Sequence, residues 1–110
     1  MTATIKVNSI VAGSARPEQV SAQLYGQWAV HAGVGEDAKS WTVTHVKSGF
    51  AVRRGIRTKR RAQAVARALQ AEHPDAFSGL SFGQKPSPDQ GDLVRACQQC
   101  IESALAGAAP

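Results

Sequence analysis

Trp41-Thr-Val-Thr-His45-Val-Lys-Ser-Gly-Phe50-Ala-Val-Arg-Arg-Gly55-Ile-Arg-Thr-Lys-Arg60-Arg-Ala-Gln-Ala-Val65-Ala-Arg-Ala-Leu69 changes its period part-way along, and that change decides the fold. Trp41 and Val43 alternate with Thr42 and Thr44, and Phe50, Val52 and Ile56 continue an apolar alternation, so the spacing predicts two half-buried strands. Ser48-Gly49 between them marks a hairpin turn. From Ala62 the apolar positions become 62, 65, 66 and 69, the spacing of one face of a helix. Thr58 suits its N-cap, and Pro74 stops it after His73.

Working outward, Trp28, Val30, Ala32 and Val34 predict a strand before the polar loop Gly35–Ser40. A two-residue turn at 48–49 would set Thr44 opposite Arg53 and Trp41 opposite Ile56. Pairing Val34 with Trp41 would set His31 opposite Thr44. One face then gathers Trp28, Val30, Val34, Trp41, Val43, Phe50, Val52 and Ile56, and His45 falls on that side too. The open face carries His31, Thr42, Thr44 and Arg53, and a one-residue bulge would reverse part of this. Further upstream, Pro17, Val20, Leu24 and Gly26 predict a short helix over 17–25. Residues 1–14 are expected to form a strand or an extended arm. Downstream, 75–85 is expected to be an ordered loop carrying Phe77, Leu80 and Phe82. Ser87-Pro88-Asp89-Gln90 has the form of a capping box opening a last helix over 88–106, with a frayed tail at 107–110. The expected architecture is a single α+β domain over 1–110. In it, a three- or four-stranded antiparallel sheet is packed on one face by a basic helix and a C-terminal helix.

The 110 residues hold 13 Lys and Arg against 8 Asp and Glu, a formal charge of +5. Seven of the 13 lie within 53–67: Arg53, Arg54, Arg57, Lys59, Arg60, Arg61 and Arg67, with no acid among them. The rest of the chain is slightly acidic. Cations at a helix N-terminus oppose the macrodipole and repel one another. An anion at that end would relieve both penalties and meet the free amides of the first turn. Three readings stand beside each other: a solvated helix face, contact with a phosphate backbone, and contact with an acidic protein partner.

Other patterns point away from catalysis. Cys97-Gln-Gln-Cys100 falls in the body of a predicted helix on its apolar stripe, whereas a redox CxxC needs a helix N-terminus and a zinc site needs two further ligands. Gly33-Val-Gly35-Glu-Asp-Ala38 fits GxGxxA but runs into a strand instead of a helix, so it reads as a hairpin loop. No nucleophile has a base within readable reach. No catalytic residue, metal or cofactor is expected. Met1–Ser14 lacks a signal-peptide pattern, and no stretch nears the ~20 apolar residues of a membrane span. A cytoplasmic protein with no membrane partner is therefore expected.

Around the helix that opens Thr58-Lys59-Arg60-Arg61-Ala62-Gln63, the expected order over 17–73 resembles the double-stranded-RNA-binding domain. That resemblance implies phosphate contacts from Lys59 and Arg60, with Gln63 in place of a third basic residue. The sheet and helix are also similar to phage integrase arm-binding domains, which implies Thr42, Thr44, Arg53 and His31 facing DNA. In size and Ala-rich composition the chain resembles accessory proteins of phages and plasmids, anti-CRISPR proteins included, which implies binding to a host protein complex. The leading expectation is a non-enzymatic module that binds DNA or RNA through Arg53, Arg54, Arg57, Lys59, Arg60, Arg61 and Arg67, with Thr44 and His31 from the sheet. The alternative is an inhibitor or adaptor whose basic patch meets an acidic protein surface.

Overall fold

A computed structural model describes residues 2–11, 14–32, 40–49, 51–80, 82 and 86–107, with backbone alone for 8–11 and 14–18. Five strands, β1 (Thr2–Val11), β2 (Ser14–Tyr25), β3 (Trp28–Ala32), β4 (Trp41–His45) and β5 (Ala51–Ile56), form one antiparallel sheet in chain order. Helix α1 (Lys59–Glu72) and, after a 3₁₀ turn at Pro88–Gln90, helix α2 (Gly91–Gly107) complete the α+β fold. The expected extension through Val34, the GxGxxA loop up to Lys39, Phe50, parts of 81–85 and the tail 108–110 lie outside the described residues.

The sheet has one strand more than the upper expectation, and the reason lies in 17–25. That segment is the last nine of the twelve residues of β2, not a helix. Val20, Ala22 and Leu24 sit two apart, so Val20 and Leu24 are also four apart and satisfy both periods. Gly26 closes no helix. It takes φ +63° at the first place of the two-residue turn joining Tyr25 to its partner Trp28, a conformation that glycine adopts at little cost. Pro17 is tolerated because β3 pairs with β2 only at Gln23–Tyr25, and Pro17 sits outside that stretch, opposite Asn8 of β1. The helix that the likeness to the double-stranded-RNA-binding domain places first is therefore a strand.

The register also differs. β3 and β4 pair two residues away from the expected alignment, Ala32 opposite Trp41 and His31 opposite Thr42. Trp41 does face Ile56, but two irregularities in β5 then set Val43 opposite Arg53 and Thr44 opposite Ala51. Gly55 supplies one of them with φ +70°. Each extra residue turns the following side chains over, so Arg53 moves to the helix side, where its guanidinium pairs with Glu102 of α2. The turn between the strands is longer than two residues and closes with Gly49 N–H donating to the His45 carbonyl at 2.8 Å.

α1 forms as its spacing predicts. Thr58 caps it, its hydroxyl accepting from the Arg61 amide at 3.2 Å, and Ala62, Val65, Ala66 and Leu69 are buried. They pack with Trp28, Val30, Val43, Ile56, Phe77 and the α2 residues Cys97, Cys100 and Ile101 in the main core. The capping box at Ser87 and Gln90 is present. Phe77 lies buried at φ +57°, a strained backbone held by the packing of its ring.

The face of the sheet away from the helices is not open. Ile5, Val7, Ala22 and Ala29 form a second core with Val20, Leu24 and Val46. The β1–β2 hairpin covers this face by curling. The Lys6 ammonium lies 5.3 Å from the centre of the Phe82 ring, and that ring sits so close to Gly49 that a Cβ there would meet it at 2.3 Å. β1 is thus brought round to the β4–β5 turn, although β2 and β3 separate them in the sheet. The radius of gyration, 12.9 Å, is close to the ~13 Å of a folded chain this long.

Candidate nucleic-acid interface

Burial sorts the predicted site residues into three groups. His31 and Thr44, expected on an open face, are 2% and 1% exposed beneath the curled hairpin. The His31 Nδ1–H donates to the Ala32 carbonyl at 2.8 Å, so Nε2 accepts from the Thr44 hydroxyl at 2.7 Å. Burial pushes the His31 pKa below its ordinary value, partly countered by the Ala32 bond. Both polar groups are satisfied inside the fold, and neither reaches a phosphate or a base from there. Thr42, at 4%, is likewise buried.

Arg53 and Arg61 form the second group. Arg53 is drawn to Glu102, and Arg61 is half-buried with its Nε enclosed. The third group, Arg54, Arg57, Lys59, Arg60 and Arg67, is exposed. Arg54 and Arg57 leave the end of β5, and Lys59 and Arg60 occupy the first turn of α1, which contains no acidic residue. Arg67 stands two turns further along.

Two aromatic residues that sequence reasoning assigned no part here belong to this surface. Trp41 is half-buried at the rim of the core, with the Lys59 ammonium 5.5 Å from its ring centre. Tyr25 is also half-buried, with the Arg67 guanidinium 5.7 Å from its ring centre. Between these pairs the Gln63 amide donates to Gln23 Oε1 at 2.6 Å, and the same oxygen lies 3.4 Å from the Tyr25 hydroxyl. The helical spacing 59, 63, 67 was visible in the sequence, but its neighbours on β2 were not, because 17–25 also matched a helix.

The cysteines lie in the main core. Cys97 and Cys100 are buried free thiols, and the Cys100 thiol donates to Glu72 at 2.9 Å, tying α2 to α1. Burial, with the Glu72 carboxylate beside it, pushes Cys100 up to about 12, which leaves the thiol unreactive near neutral pH. His45 is enclosed between the edges of the Trp28 and Phe77 rings, with Nδ1 2.8 Å from the Ser48 hydroxyl. Among the described residues no group of three or more His, Cys, Asp or Glu is placed to hold a metal ion, and no helix is long and apolar enough to cross a membrane. Comparison with known protein families, curated proteins and solved structures finds no match for this chain.

Proposed function

We propose that this protein is a non-enzymatic nucleic-acid-binding module that grips a phosphate backbone with the cations at the N-terminal end of α1. One observation carries the reading: Arg54, Arg57, Lys59 and Arg60 are exposed together around a helix start that contains no acid. Their charges work against the helix dipole and against one another, so the arrangement costs the free protein stability and favours a bound anion. Arg forks and backbone amides are the usual partners of phosphate oxygens.

The test is a titration of labelled DNA and RNA, single- and double-stranded, across a salt series. The logarithm of the binding constant should fall linearly with the logarithm of salt. Changing Arg57, Lys59 and Arg60 to Ala should flatten that slope by up to roughly three units. Absence of binding at low salt overturns the reading and leaves an acidic protein surface as the complement of the same cations.

A further inference from the structure

We infer that the nucleic acid held by this protein is a single strand, laid along the flank of α1 that carries Lys59, Gln63 and Arg67 and in contact with the rings of Trp41 and Tyr25. This rests on the phosphate-binding reading above and adds the form of the ligand to it. Three features of the flank favour a single strand.

The first is continuity. Lys59 belongs both to the cation cluster at the helix start and to the flank, and Trp41 pairs with Ile56, the residue before Arg57. A backbone seated on Arg57 and Arg60 passes directly onto the flank. The second is spacing. Lys59, Gln63 and Arg67 are four residues apart, so the helix raises each ~6 Å above the last, which sets out a linear track instead of a point. The third is the pairing of each cation with a ring. Lys59 lies over Trp41 and Arg67 over Tyr25, with the hydrogen bonds of Gln63 and Tyr25 to Gln23 between them.

Neither ring is sealed in the core as Trp28 is, at 0% exposed, and each has its face toward an exposed charged side chain. A cation over a half-buried surface ring is held weakly, whereas base–aromatic stacking is stronger and independent of sequence. A strand with unpaired bases lets each cation move to a phosphate while a base takes its place on the ring. A duplex keeps its bases stacked inside and presents only phosphates to the same surface, so it gains nothing from Trp41 or Tyr25. The glutamines between the rings offer amide groups to base edges without selecting one base.

The experiment compares a labelled oligothymidine with a duplex of equal length, both titrated with the full chain. The single strand should bind the tighter. Trp41→Leu and Tyr25→Leu should each weaken single-strand binding roughly tenfold while leaving duplex binding unchanged. Intrinsic tryptophan emission should fall on adding the single strand to the native protein. It should not change in Trp41→Phe, whose one remaining tryptophan is the enclosed Trp28 and whose retained ring keeps most of the affinity. Equal or tighter duplex binding, or single-strand binding indifferent to both Leu substitutions, overturns the inference and leaves phosphate binding standing. Failure of both forms to bind overturns the two proposals together.

Discussion

Burial holds both His31 and His45 below the ordinary histidine value of 6.5, and in each the leading cause is loss of water around the ring. For His45 the nearby Lys47 ammonium adds to the effect, and a backbone contact with Ala76 works against it. The unfolded chain therefore takes up protons at these two sites at a higher pH than the folded chain, and stability must fall as pH falls. The share due to the two histidines should be flat above pH ~7, decline below about 6.5 by up to ~1.4 kcal/mol per pH unit per histidine, and level off once the folded-state values are passed. Urea midpoints measured from neutral to mildly acidic pH check this. His45→Leu should remove its own share of the slope, whatever it does to the midpoint itself. A midpoint that rises on acidification refutes the assignment. The protonated His45 would also lose Nδ1 as the acceptor for the Ser48 amide, 3.4 Å away, and loosen the turn that carries Gly49.

At the scale of the element, α1 was legible because cap, period and stop agree: Thr58, then Ala62, Val65, Ala66 and Leu69, then Pro74. β2 was not, since Val20 and Leu24, four apart, suit one face of a helix as well as one side of a strand, and only pairing with β1 decides between them. Nor were the irregularities of β5, which depend on where the β4–β5 turn closes. The exposed cations were legible as a charge run. That Arg53 leaves the run for Glu102 follows from the register alone. The helix start makes a test of its own. Arg60→Glu places an acid in a first turn that has none, which should stabilise the fold by ~0.3–1 kcal/mol at low salt and raise the thermal midpoint. The same change should weaken nucleic-acid binding. If stability and binding both drop, Arg60 serves the fold and not a ligand.

On the scale of the whole molecule, the sheet divides two cores of unlike make-up. The helix side holds the large residues, Trp28, Leu69, Phe77 and Ile101, and the curled side holds Ile5, Val7, Ala22 and Ala29. Composition announces small side chains but does not say that they line a second interior, so 1–14 reads equally as a strand or an extended arm, and β1 is a strand whose Ile5 and Val7 wall that interior. The difference is measurable. Ile5→Ala should cost ~2–4 kcal/mol in denaturant unfolding, as a core truncation does, and the transition should stay single. A loss below ~0.5 kcal/mol would mean that β1 does hang free as an arm.

Edge strands invite another chain to add itself to the sheet, and β5 is one of the two edges among the described residues. Its six residues contain two breaks in regular pairing, and Arg53 and Arg54 lie between them. A second copy approaching this edge would find only two or three backbone groups in register before the ladder slips, and then like charge. The kinks that turn Arg53 towards α2 thus also guard the molecule against growing, sheet upon sheet, into fibrils.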